Sequence, residues 1–124
     1  MSLRIGMVTT DTTNSQKLAL WWAEQLNGTV EAYSEVGQSV DPTAAGAEGA
    51  FFIVRTPQDL DLGFQQVADP TPGKNRLHFD LSAPDRTAEV ARLVSNGATV
   101  FAEYEFWTTL ADPDGNLFCV SDLA

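Results

Sequence analysis

The chain has 124 residues, of which 44% are hydrophobic and 19% charged, a composition typical of a soluble globular domain with a buried core. Its formal net charge of −10 disfavours nucleic acid and anionic membrane as partners, because both require clustered Lys and Arg. A single cysteine rules out an intrachain disulfide framework. With no apolar run of ~18 residues and no signal-like N-terminus, we expect a cytoplasmic protein that does not span a membrane.

The first third of the chain predicts a strand, a helix and a second strand. Alternation over residues 4–10 favours a strand with Met7 and Thr9 on one face. A cap at residues 14–15 and apolar residues at helical spacing then predict a helix that contains Trp21 and Trp22 and ends at Asn27-Gly28. Residues 29–34 resume as a strand.

The middle of the chain predicts a loop, two strands and a linker. Residues 37–49 are rich in small residues and favour a mobile loop. Residues 50–56 and 62–67 are β-prone. Residues 70–74 contain two prolines and a glycine, which a regular element would not accommodate, so we interpret this segment as a linker.

The last third repeats the order of the first. A strand over 76–82 would place Leu77, Phe79 and Leu81 on one face and Arg76, His78 and Asp80 on the other. A helix from residues 84–85 to 96–97 follows, and then strands over 99–103, 106–111 and 116–121. Residues 112–116, with the sequence Asp-Pro-Asp-Gly-Asn, predict a tight turn between the last two strands.

The predicted order of elements, βαβββ, therefore occurs twice along the chain. We predict an α+β protein with module one at residues 1–69, a linker at 70–74 and module two at 75–124. One helix per module covers one face of a sheet and leaves the other face open. Function is expected where equivalent positions of the two copies converge.

Three segments support a resemblance to a known family: residues 74–81 with the helix that ends at 93–98, residues 110–120 around the tight turn, and the opening 5–8 with Asp11, Leu18 and the Trp pair. Together they resemble the glyoxalase-like domains of the vicinal oxygen chelate superfamily, which includes glyoxalases and bleomycin-resistance proteins. The resemblance implies two βαβββ modules whose curved mixed sheets form a cavity, often completed in a homodimer.

The resemblance also implies where a metal ion would bind. In the superfamily, one residue on the first strand and one on the last strand of each module hold the metal. These are usually His on the first strands and Glu on the last strands, with Gln sometimes accepted. The corresponding positions here are Met7, Gln65, His78 and Cys119, of which only His78 matches the pattern well. Hard divalent cations prefer oxygen anions, and this set contains no carboxylate. We therefore predict no metal and no cofactor, although a soft ion such as Cu(I) or Zn²⁺ could use Cys, His and Met.

Strand alternation extends this set to a predicted ligand pocket. Phe51 and Trp107 occupy equivalent positions in the two copies and would offer a stacking surface for a planar or apolar ligand, or would fill the space of a lost metal site. His78 is the candidate catalytic residue, as a general base oriented by Asp80, or else a histidine satisfied by a neighbour on the sheet. Cys119 is either a small buried hydrophobe or a thiol activated by His78. The full predicted lining comprises Met7, Thr9, Phe51, Arg55, Gln65, His78, Asp80, Trp107, Thr109 and Cys119.

These features predict a small-molecule-binding protein of the glyoxalase/bleomycin-resistance type with a degenerate metal site, most simply a homodimer. One alternative is a lyase or isomerase of the same superfamily that uses His78 as base or metal ligand. Another is a protein-interaction module with a vestigial cavity. An exposed Trp on a helix face would support that last alternative, and a well-formed ligand-sized pocket would count against it.

Overall fold

A computed structural model describes residues 5–73, 75 and 77–122. Two mixed sheets, each with one α-helix, make up an α+β architecture, the fold class that the sequence predicts. The chain divides into two compact units between Pro70 and Thr71, and we refer to them as module one and module two. No helix in the described ranges is long and apolar enough to cross a membrane.

Module one is a five-stranded sheet with one helix. Its strand order is β1-β5-β4-β2-β3, in which β1 runs parallel to β5 and the other neighbours are antiparallel. A single turn of 3₁₀ helix, Ala45–Ala47, separates β3 from β4. The elements are β1 (Met7–Thr12), α1 (Ser15–Leu26), β2 (Thr29–Tyr33), β3 (Ser39–Val40), β4 (Phe51–Arg55) and β5 (Asp61–Gln66).

The helix α1 begins and ends where its capping residues place it. The Asn14 side chain accepts a hydrogen bond from the Lys17 amide at 3.3 Å, and Asn27 adopts the left-handed conformation that ends the helix. Its buried face includes Leu18 and Trp22, and the helix packs on β4 and β5, whose core side chains include Phe52 and Phe64. This packing covers one face of the sheet, and in the described part of module one no other α-helix is present to cover the opposite face.

Module two repeats the pattern with four strands in the order β6-β9-β8-β7, and β6 runs parallel to β9. The side chain of Asp112 accepts hydrogen bonds from the amides of Asp114 and Asn116 at 2.9 and 3.0 Å, which forms the predicted tight turn before β9. The core contains Leu93, Leu110 and other fully buried apolar side chains. The elements are β6 (Asp80–Ala83), α2 (Arg86–Ser95), β7 (Thr99–Glu103), β8 (Trp107–Ala111) and β9 (Leu117–Asp122).

The strand predicted over 76–82 is wrong at its start, because β6 begins only at Asp80. The side chain of Asn75 accepts a hydrogen bond from the Leu117 amide at 3.0 Å and donates to the Leu117 carbonyl at 3.3 Å, so it bonds the backbone groups at the start of β9. Leu77 is 80% exposed rather than buried, and His78 lies in the loop before β6. Arg76 lies outside the described residues.

The loop predicted over 37–49 has more structure than its composition suggests. Part of it pairs with β2 as the short strand β3, and Ala47 is buried. Ser15 Oγ lies 2.7 Å from the Ala50 carbonyl and 3.0 Å from the Glu48 carbonyl, so its one hydroxyl proton can be donated to either of them. The Gln16 side-chain amide donates to two further loop carbonyls at 2.9 Å. The start of α1 therefore holds this segment.

Candidate functional site

The open face of module two is defined by strand register. Asp80, Cys119 and Thr109 are directly paired across β6, β9 and β8, so their side chains share one face of the sheet. The residues between them along the strands, such as Phe118 and Leu110, are buried in the core. Alternation along β8 and β9 therefore separates a core face from an open face, as the sequence pattern predicts.

A cavity of about 240 Å³ lies on this open face. Four residues of the predicted pocket line it: His78, Trp107, Thr109 and Cys119. Four others were missed from the sequence: Asn75, Phe101, Tyr104 and Leu117. Drug-sized ligands usually occupy about 300–1,000 Å³, so this cavity suits a small ring system or one end of a larger ligand.

The apolar wall of the cavity is formed by aromatic side chains. The rings of Tyr104 and Trp107 are stacked, with centroids 4.6 Å apart and planes 23° apart. The Tyr104 amide donates to the Trp107 carbonyl at 2.8 Å, which closes the tight turn between β7 and β8 and brings the two rings together. Phe101 and Trp107 remain 66% and 39% exposed, an accessible apolar surface that a planar ligand would cover.

Polar side chains also lie in and beside the cavity. His78 Nε2 lies 3.4 Å from Asp80 Oδ1, and Cys119 Sγ lies 3.4 Å from Thr109 Oγ1. His78 and Asp80 are both exposed, so their interaction is screened by solvent. This arrangement offers hydrogen-bonding groups beside the aromatic wall.

The donor atoms of His78, Asp80 and Cys119 lie within 4.8 Å of one another, so they form the metal-ligand cluster found among the described residues. One imidazole, one carboxylate and one thiol do not reproduce the His and Glu set that the superfamily resemblance implies. Asp80 supplies a carboxylate, but at a position other than the four that the resemblance predicts. The residues at those four positions therefore do not fit a hard divalent cation, and we derive no chemistry through one.

On the open face of module one, three of the predicted pocket residues converge over Gly63. A Cβ atom at Gly63 would lie 2.6 Å from Thr9 Oγ1, 2.9 Å from Met7 Sδ and 3.0 Å from Phe51 Cζ. These side chains therefore occupy the space above the glycine. The absence of a side chain at residue 63 is what lets them approach the sheet so closely.

The other two module-one residues of the predicted pocket also lie on strands. Arg55 Nε is 2.7 Å from Glu31 Oε2, and its Nη1 is 2.5 Å from Asp61 Oδ2. Hydrogen bonds from Arg55 and then from Tyr33 lower the pKa of Glu31 to about 2. An anionic ligand at Arg55 would therefore compete with two carboxylates. Gln65 is exposed on β5.

Leu117 lies two residues before Cys119 on β9, so alternation alone would have assigned it to the open face. The signals for the other three missed residues were weak. Phe101 lies at a register shift in β7, between Val100 and Ala102, and simple alternation does not predict such a bulge. Tyr104 lies in the turn after β7, outside any strand whose alternation could assign it to a face. Asn75 could have been recognised only from its contact with Leu117, 42 residues away.

Comparison with known proteins identifies the family of this chain. The model of the glyoxalase-like domain matches residues 7–121. The chain belongs to the glyoxalase-like domain family. It is thus a member of the vicinal oxygen chelate superfamily that its sequence resembles. No curated protein matches the sequence.

Solved structures of the superfamily share the fold of this glyoxalase-like chain. FosX, a fosfomycin resistance protein from Listeria monocytogenes, is similar with a TM-score of 0.70 and 15% identity over 100% of this chain and 94% of its own. TnmS3, an antibiotic binding protein from Streptomyces sp. CB03234, is similar with a TM-score of 0.66 and 19% identity over 100% and 99%. A member of the glyoxalase/bleomycin resistance protein/dioxygenase superfamily from Sphaerobacter thermophilus has a TM-score of 0.65 and 16% identity over 99% and 100%. At these identities the likeness shows the fold alone.

Proposed function

We propose that this glyoxalase-like protein binds a small molecule with a planar apolar part on the open face of module two, without a metal ion. The observation that supports this function is the Tyr104–Trp107 stack, which forms one wall of a 240 Å³ cavity. Phe101 extends the apolar surface, and Thr109 and His78 supply hydrogen-bonding groups. The ligand would stack on the aromatic wall and present a polar substituent to Thr109 or His78.

TnmS3, which shares this fold, is an antibiotic binding protein, so the fold can serve the binding of a small molecule. We extend only the class of function, small-molecule binding, to this chain. We also propose that the protein is cytoplasmic and forms a homodimer, as expected from its sequence. The predicted lining residues of module one stay part of this proposal only through their outer surfaces, since Thr9, Met7 and Phe51 fill the space above Gly63.

The binding proposal is tested with 2-naphthol, a neutral planar compound with one hydroxyl group, by isothermal titration calorimetry. We expect saturable binding and a Trp107→Ala variant with an affinity roughly 2- to 10-fold weaker, since a lost aromatic contact costs about 0.5–1.5 kcal/mol beyond lost area. Phe106→Ala is the matched control, because Phe106 is exposed in the same turn but does not line the cavity. Equal loss in both variants, or no binding to the wild type, would refute the proposal.

A second candidate is a lyase or isomerase in which His78 acts as general base. The observation in its favour is Asp80 Oδ1 at 3.4 Å from His78 Nε2, a carboxylate placed to orient the imidazole. The probe is 2-indanone, a planar ketone with acidic C–H bonds, in D₂O. Accelerated deuterium exchange that disappears in His78→Ala would favour the enzyme over the binding protein. Exchange at the rate without protein would argue against it.

The third candidate, a protein-interaction module, has less support. Trp22 is 2% exposed, and Trp21, which contacts it edge-to-face with ring centroids 4.9 Å apart, is half-buried, so neither Trp of α1 is the fully exposed Trp that would support this function. The cavity of module two also favours a small ligand. Titration with 2-naphthol therefore separates the two candidates, because a ligand-binding protein should bind it saturably and a protein-interaction module with a vestigial cavity should not.

A further inference from the structure

The aromatic wall depends on a turn that has empty space behind it. Tyr104 lines the ligand cavity and also a second cavity of about 240 Å³, whose other lining residues include Arg86, Val90 and Thr108. Thr108 belongs to the core face of β8, so the second cavity lies on the α2 side of the turn. A turn residue that borders two cavities is not held in place by packing alone.

Arg86 restrains the turn in addition to the hydrogen bond between the Tyr104 amide and the Trp107 carbonyl. Its Nη1 donates to the Tyr104 carbonyl at 3.2 Å, and its Nη2 donates to the Glu105 carbonyl at 2.9 Å. The planar guanidinium thus binds two successive carbonyls of the turn between β7 and β8. Its Nε also lies 3.4 Å from Asp122 Oδ1 at the end of β9, which restrains the guanidinium from a second direction.

The position of Arg86 in the helix is itself informative. It is the first residue of α2, directly after Asp85, whose side chain caps the helix by accepting from the Ala88 amide at 3.0 Å. A cation at a helix N-terminus is opposed by the helix dipole, whereas the same helix has Glu89 in its first turn and Arg92 in its last. The dipole of α2 therefore disfavours a positive charge at the position of Arg86. The hydrogen bonds of Arg86 to the turn explain why an arginine is found there.

We propose that Arg86 is a positioning residue for the ligand site: its fork of hydrogen bonds holds the turn so that Tyr104 stays stacked on Trp107. This inference rests on the proposed function, because the stacked pair is the wall on which the ligand would bind. Arg86 does not line the ligand cavity and acts only through the turn. Without the fork, the turn can shift toward the second cavity and separate the two rings.

The test uses Arg86→Gln, with two readouts. The first is the indole N–H signal of Trp107 in ¹H–¹⁵N spectra of the ligand-free protein, which is assigned with the Trp107→Phe variant. In Arg86→Gln we expect this signal to shift or broaden, while the indole signals of Trp21 and Trp22 stay in place. The second is the Kd for 2-naphthol, which we expect to rise roughly 3- to 10-fold, the effect of one net hydrogen bond. Arg92→Gln is the matched control, since it removes an arginine of the same helix that pairs with Glu89 at 2.9 Å.

Two further variants keep the proposal falsifiable. Arg86→Lys retains the positive charge but cannot bond both carbonyls, so we expect the same changes as in Arg86→Gln. It serves as the test variant if Arg86→Gln does not fold. Leu93→Val trims the core beneath α2 and should lower the melting temperature without moving the Trp107 signal. An unchanged Trp107 signal in Arg86→Lys, or an equal shift in Leu93→Val, would overturn the proposal. Failure of the wild type to bind 2-naphthol would refute the proposed function instead, and the ligand-free spectra would still decide the role of Arg86.

Discussion

Replacement of Gly63 by Ala tests whether the open face of module one is filled by its own side chains. The added Cβ would lie 2.6 Å from Thr9 Oγ1, 2.9 Å from Met7 Sδ and 3.0 Å from Phe51 Cζ, whereas comfortable carbon contacts lie at about 3.5–4.0 Å. Gly63 does not have a positive φ, so the backbone itself accepts Ala. The substitution is therefore a test of packing and not of backbone strain.

Two opposing effects determine its size. Ala in place of Gly stabilises a compatible site by about 0.4–1 kcal/mol, chiefly because it restricts the unfolded chain. Overpacking costs about 1–3 kcal/mol, and here Met7 and Thr9 can adjust their side chains whereas the ring of Phe51 must move as a rigid body. We expect a net loss of about 1–2 kcal/mol in the free energy of unfolding.

The assay is urea unfolding at neutral pH, with Gly46→Ala as the matched control. Gly46 has nothing within 4 Å of its added Cβ and no positive φ, so Ala there should be neutral or stabilising by up to about 1 kcal/mol. The two variants should thus differ in sign. If Gly63→Ala is as stable as Gly46→Ala, the three side chains above Gly63 move freely, and the space they occupy is available to a ligand.

Three other predictions follow from the charges, the donor groups and the exposed aromatics. Glu31→Gln should lower the free energy of unfolding by about 1 kcal/mol or less at pH 7. Because folding lowers the pKa of Glu31 from 4.5 to about 2, this difference from wild type should disappear as the pH falls from 4.5 towards 2. A difference that stays constant over this pH range would contradict the prediction. Metal analysis should find no stoichiometric divalent ion, and chelator should not change the melting temperature; one ion per chain that is lost in His78→Ala would contradict this and assign it to His78, Asp80 and Cys119. Light scattering at micromolar concentration should give twice the 13.4 kDa of one chain, and a monomeric mass would contradict the proposed homodimer.

Local signals in the sequence predict much of this fold. The helix α1 begins and ends within a residue of its capping Asn14 and Asn27, because capping is a short-range effect. The turn at 112–116 depends on the side chain of Asp112 bonding amides two and four residues ahead. Strand alternation on β8 and β9 correctly separates core from open face, since the side-chain period of a strand is 2.

Other features depend on contacts that sequence patterns do not contain. The start of β6 is decided by hydrogen bonds between Asn75 and Leu117, so the alternation of residues 76–82 alone overestimates the strand. The Tyr104–Trp107 stack depends on a bulge at Phe101 and on a turn held by Arg86. Each of these is a tertiary effect that overrides a local preference.

The two modules show why repetition in the sequence predicts the fold better than the site. Phe51 and Trp107 begin corresponding strands, β4 and β8, yet their surroundings differ. Phe51 packs over Gly63 with the side chains of β1, whereas Trp107 stacks on Tyr104 beside a cavity. The βαβββ pattern constrains the buried faces, because both must pack against a helix. It places no such constraint on the open faces, so one copy can fill that face with its own side chains while the other keeps space for a ligand.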